Sequence, residues 1–204
     1  MFNYRKHDVE IVRHLVVESL SWPAPREAAD ESDLGCNRAY MDFRRASWAG
    51  ALLAFERENE LIGRLERSDD PEQEYYKIEE LTYEDDNLYS LDFGMASTVL
   101  GLSAAGCIPF SSCNAGAFGG QHAARHPVVA FYAQPAIAQA ILTCAEQTQV
   151  GLETDRQGFL IVYSDDIRAL RRFAAALIEH KETFRGLKPT RKRRSPKPQQ
   201  GSLF

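Results

Sequence analysis

The chain has 204 residues, of which 44% are hydrophobic and 26% charged, and a formal net charge of −5. That length buries enough surface for one sizeable domain or two small ones without staples, and its four unevenly spaced cysteines read as reduced thiols rather than a disulfide framework. No apolar run reaches the roughly 18 residues of a membrane span, and the opening MFNYRKHDVEIVRHL has no apolar signal core, so a cytoplasmic protein with no membrane partner is expected.

Val9, Val12, Val16 and Leu20 stand at helical spacing, with Ile11 and Leu15 beside them, which predicts a helix over Asp8 to Ser21. Trp22-Pro23-Ala24-Pro25 ends it, because proline lacks a donor and restricts its predecessor. A second helix is predicted from about Asn37 to Arg67, through Tyr40, Phe43, Leu52, Phe55, Ile62 and Leu65, with Gly50 and Gly63 as weak points. Residues 1–70 therefore read as a helical region. Pro71 to Asn87 carries Glu72, Glu74, Glu79, Glu80, Glu84, Asp85 and Asp86. Paired carboxylates suit metal binding or acid–base work, but exposed acids are the rule. A solvated helix or edge strand is expected there, with Tyr75, Tyr76, Ile78, Leu81 and Tyr83 on the buried side.

Leu91 to Gly120, LDFGMASTVLGLSAAGCIPFSSCNAGAFGG, is the least charged stretch, and Asp92 is its only ionisable acid or base. Met95 to Ala105 reads as a buried helix with Asp92 as N-cap and Gly106 as stop. Cys107 to Phe110 reads as an inner strand, and Ser111 to Gly116 as a polar turn at its end. Strands follow at Val128 to Ala133, Val150 to Glu153 and Phe159 to Tyr163, with a helix opened by Pro135 and a turn at Asp155 to Gly158. Ser164 is expected to cap a last helix, buried along Ile167, Leu170, Phe173, Ala174, Leu177 and Ile178.

The order strand, helix, strand, strand, helix predicts an α+β fold. N-terminal helices would pack on a small open α/β sandwich, within a core spanning residues 71–185. From residue 186 to 204 the chain has three prolines, six Lys and Arg residues and no acid, so a disordered basic tail is expected. Without those six, 18 basic residues face 29 acidic ones, and the body carries −11.

The polar turn offers the body's chemistry. Cys113 stands beside Ser111, Ser112 and Asn114, with His122 or His126 as a base, and Cys113, Asn114 and His122 are the candidate catalytic residues. Cys107, Cys113, His122 and His126 also form C-x5-C-x8-H-x3-H, whose histidine spacing suits zinc while its cysteine spacing is wider than usual; no metal site is assigned on it. Gly116 to Gly120 forms neither a GxGxxG nor a P-loop pattern, so no cofactor is implied. The Phe110-Ser111-Ser112-Cys113 phrase, with the strand, proline and alanine-rich helix after it, resembles the wybutosine-synthesising tRNA methyltransferase family over about residues 108–163. The chain departs from that family at Asn114-Ala115-Gly116, where Ser-Gly-Arg is usual, so the resemblance implies fold alone.

The last five residues, Gln200-Gly201-Ser202-Leu203-Phe204, resemble the short motif by which bacterial proteins dock on the DNA polymerase sliding clamp. The resemblance implies that Leu203 and Phe204 fill an apolar pocket, that Gln200 bonds at its edge, and that Ser202 steadies the turn. Gly201 replaces the common leucine and should weaken the contact. Arg191, Lys192, Arg193 and Arg194 would then hold phosphates of the encircled DNA. Two functions stand open: an adaptor that docks on the clamp at replication or repair DNA, in a phage-defence or mobile-element setting among others, or an enzyme with its active loop at residues 111–126, localised by the tail.

Overall fold

The computed structural model describes residues 2–23, 46–120 and 122–187. The fold is α+β, as expected, but the first helix is not formed. Residues 2–16 run as an extended arm containing β1 (Arg13–His14), followed by a short 3-10 turn at Val17–Ser19. Val9 and Ile11 are half-buried while Asp8, Glu10 and Val12 are exposed. That is the two-residue alternation of a strand, not the helical stripe their spacing suggested. β-Branched residues at Val9, Ile11, Val12, Val16 and Val17 favour the extended form.

Helix α1 (Trp48–Arg67) runs unbroken through Gly50 and Gly63, and Ser47 caps it by accepting the Gly50 N–H at 3.0 Å. The earlier part of the predicted helix, residues 37–45, lies outside the described residues. Helix α2 (Pro71–Glu84) is the acid-rich segment, with Pro71 in its first turn and Asp70 accepting the Gln73 N–H. Its buried side is Tyr75, Ile78 and Thr82, while Tyr76 and Tyr83 are exposed rather than inward as expected. Helix α3 (Ala96–Ala105) is buried at every residue and stops at Gly106. Asp92 is not its cap; Glu58 of α1 fills that role.

Strand β2 (Ile108–Cys113) is longer than predicted and carries the chain to Cys113 itself. Strand β3 (Val128–Tyr132), helix α4 (Pro135–Thr148), β4 (Gly151–Thr154), β5 (Leu160–Tyr163) and α5 (Ile167–Glu179) follow as read. Asp166, not Ser164, caps α5 by accepting the Arg168 N–H; the Ser164 hydroxyl donates instead to the Asp166 carbonyl. An unanticipated helix α6 (Lys181–Leu187) closes the described chain and buries Phe184 against Trp48.

The sheet has five strands in the order β1-β4-β5-β3-β2, antiparallel except where β1 pairs with β4. Val129, Phe131, Leu152, Leu160 and Val162 form its fully buried face, in one core with residues of α1, α3, α4 and α5. The opposite face carries an aromatic cluster of Phe110, Tyr132 and Phe159. No helix among the described residues is long and apolar enough to cross a membrane.

Candidate functional site

Three side chains from separate segments meet at the end of β2. Cys113 is the last residue of that strand, His122 lies in the connection to β3, and Asp92 lies in the turn before α3. One thiol, one imidazole and one carboxylate offer atoms within 4.8 Å of one another, the only such grouping among the described residues. His122 Nδ1 stands 3.7 Å from Cys113 Sγ and 3.2 Å from an Asp92 carboxylate oxygen.

The turn after β2 fixes this arrangement. Asn114 is buried; its amide donates to the Phe93 carbonyl at 3.0 Å and its oxygen accepts the Gly116 N–H at 2.9 Å. Its own backbone N–H donates to the Asp92 carboxylate at 3.1 Å. Asn114 therefore ties the turn to the segment that carries Asp92. Gly116 has φ +69°, and a Cβ there would stand 3.0 Å from the Gly120 carbonyl and 3.2 Å from that of Gly119. Only glycine lets the loop fold back so tightly, which brings His122 toward Cys113. Gly120 has φ +77°, and a methyl group on it would touch the Tyr75 hydroxyl at 3.4 Å and His122 Nε2 at 3.5 Å, ordinary contact distances.

Burial pushes the Cys113 thiol above its ordinary value, and the Asp92 carboxylate adds to the rise; N–H groups of Ala115 and Ala124 partly oppose it. The group is a neutral thiol near pH 7. A thiol–imidazole–carboxylate relay needs the base to face the nucleophile with one ring nitrogen and the carboxylate with the other. Here both partners face Nδ1, so the arrangement converges on a point instead of forming a relay.

The other sequence-selected residues separate. Cys107 is buried in the core, and the His126 ring packs 5.2 Å from the Tyr163 ring, so neither joins Cys113 and His122 and the four-residue spacing is not a site. Burial and the nearby His7 lower the His126 pKa. In the acid-rich segment Glu74 of α2 pairs with Arg64, and Asp85, just past the helix, pairs with Arg57, both at 2.6 Å. Asp92, read from sequence as a cap, is the site residue that sequence reasoning missed; its isolation as the one charge in a small-residue stretch was the available signal. Arg191, Lys192, Arg193, Arg194, Gln200, Ser202, Leu203 and Phe204 lie outside the described residues.

Two clefts flank this core. One of about 370 Å³ is lined by Phe2, Asn3, Tyr75, Tyr76, Phe118 and Gly119, and reaches Gly120 beside the site. The other, about 310 Å³, lies between α1 and α5 and gathers Arg168, Arg171 and Arg172. No family model matches the chain, and neither curated proteins nor solved structures yield a match.

Proposed function

We propose that the protein is an accessory factor that docks on a DNA polymerase sliding clamp and holds its folded body beside replicating or repairing DNA. The observation that carries this reading is the Gln200-Gly201-Ser202-Leu203-Phe204 sequence. Leu203 and Phe204 are its apolar anchors, Gln200 bonds at the pocket edge, and Ser202 supports the bound turn. Helix α6 ends at Leu187, so residues 188–199 separate the body from the motif. Twelve residues span at most on the order of 40 Å. Arg191 to Arg194 fall within this stretch of sequence and would meet phosphates of the encircled DNA. Arg171 and Arg172 of the α5 cleft add positive charge to the acidic body, while Arg168 beside them is paired with Asp166.

The test is binding of the full chain to immobilised bacterial clamp, competed by a synthetic peptide ending in the same five residues. Competition at roughly micromolar peptide supports the reading. Failure of the full chain to bind at high micromolar concentration rejects it.

A second reading, an enzyme whose tail only sets its location, is favoured by the convergence of Asp92, Cys113 and His122. The two separate cleanly: an enzyme loses its activity in Cys113→Ala and keeps it in Phe204→Ala, whereas an adaptor does the reverse.

A further inference from the structure

The geometry points to a metal site: Asp92, Cys113 and His122 bind one zinc-class divalent cation through Oδ, Sγ and Nδ1, with water in the fourth position. This goes beyond the clamp reading and is independent of it.

The distances carry the inference. Zinc bonds of about 2.3 Å to sulfur and about 2.0–2.1 Å to nitrogen and oxygen, at tetrahedral angles, give an S···N edge of roughly 3.6 Å and an N···O edge of roughly 3.3 Å. The observed edges are 3.7 Å for Cys113–His122 and 3.2 Å for His122–Asp92. Two of the three edges therefore match a tetrahedral ion, and the Cys113–Asp92 edge lies within 4.8 Å. Both edges share Nδ1, which is wrong for a proton relay and right for three ligands around one ion.

The donor set selects the cation. Thiolate and imidazole favour zinc-class ions, and a single carboxylate is too few for calcium or magnesium, which take oxygen ligands. The Ala115 N–H points at Cys113 Sγ from 3.4 Å, a contact that stabilises thiolate, and the Asn114 N–H holds the Asp92 carboxylate in place. On binding, the Cys113 S–H bond breaks, its proton passes to solvent and the S–metal bond forms, with no change of oxidation state. Asp92 and His122 keep 35% and 13% side-chain exposure, so water can complete the coordination shell. Three protein ligands and one open position are the pattern of a reactive rather than a closed structural zinc site.

The experiment titrates Co²⁺ into the reduced full-length protein under anaerobic conditions. One equivalent should produce thiolate-to-cobalt charge-transfer absorption and the visible bands of a tetrahedral ion, both removed by excess Zn²⁺. Cys113→Ser should abolish the charge-transfer band, and Asp92→Asn should weaken binding at least about tenfold. A second readout needs no variant. Zn²⁺ should protect Cys113 of the wild-type protein from iodoacetamide, located by peptide mapping, and chelator should restore labelling. Absence of the charge-transfer band, its persistence in Cys113→Ser, or equal labelling of Cys113 with and without Zn²⁺ overturns the assignment.

Discussion

The carboxylate of Glu58, in the middle of α1, accepts the Ala96 N–H at 2.7 Å and the Ser97 N–H at 3.3 Å, at the N-terminus of α3. The Ser97 hydroxyl donates to the same group. Helix α3 has no side-chain cap of its own, and its first turn is fully buried, so its free N–H groups need a partner from elsewhere. Glu58 provides it, and the positive end of the helix favours the negative charge. This contact ties α1 to the buried helix that leads into β2 and Cys113.

Burial pushes Glu58 up from 4.5 to about 7, against the opposing pull of its hydrogen bonds to Ser97 and Ala96. Between those two values the folded state binds more protons than the unfolded chain, so stability falls as pH rises through the window and levels off above about 7. The full loss from this group is about 3 kcal/mol. His126, whose pKa is lowered, works in the opposite direction, but equally in wild type and variant. Urea denaturation of wild type and Glu58→Gln from about pH 5 to pH 8 should show their stability difference shifting toward the variant as pH rises. A pH-independent difference would contradict a buried, titrating Glu58.

Cys113 should be the most reactive of the described thiols and still slower than a free cysteine. Cys107 and Cys144 are fully buried, whereas Cys113 is half-exposed with its thiol held neutral by burial and Asp92. In metal-free protein, iodoacetamide labelling should occur at Cys113 first, and Asp92→Asn should accelerate it by removing the nearby negative charge. Labelling of Cys107 at the same rate, or no acceleration in the variant, would show that the thiol does not sense Asp92.

Gly158 locks the N-terminal arm to the β4–β5 turn. Its carbonyl accepts the Ser21 N–H at 2.9 Å, and a Cβ on it would lie 2.4 Å from the Ser19 carbonyl oxygen. Its φ of +86° is itself unfavourable for any other residue. Gly158→Ala should destabilise the protein by about 2–3 kcal/mol. It should also speed amide exchange at Leu152, whose N–H donates to the Val12 carbonyl across the β1–β4 pair. A melting temperature equal to wild type would mean that the arm does not pack on this turn.

The sheet and its flanking helices were legible because their signals are local. Pro135 marks the start of α4, VVAFY reads as a buried strand, and Ile167, Leu170, Phe173, Ala174 and Leu177 draw a helical stripe. The arm was misread because Val9, Val12, Val16 and Leu20 fit a helix by spacing alone. What decides its shape is distant: the β4 edge and the Tyr163 hydroxyl, which accepts the Val12 N–H and donates to the Glu10 carbonyl. The site was half legible for the same reason. Cys113, Asn114 and His122 lie within one short stretch, whereas Asp92 is distant in sequence and meets them across the fold, where it accepts the Asn114 N–H. The segment before α3 gave no hint that Glu58, far away on α1, would cap it and leave Asp92 for the site.

Docking on the clamp is tested most directly by changing Leu203 and Phe204 together to alanine in the full chain, and measuring clamp affinity beside the melting temperature. Burial of each anchor in a partner's pocket contributes on the order of 1.5–3 kcal/mol, less the cost of ordering the segment. Wild type should therefore bind in roughly the micromolar range, and the double variant should fall below detection with an unchanged melting temperature. Gln200→Ala should weaken binding less, since it removes one rim hydrogen bond and leaves both anchors. Undiminished clamp binding by the double variant, or a loss of several degrees in its melting temperature, would contradict the proposal.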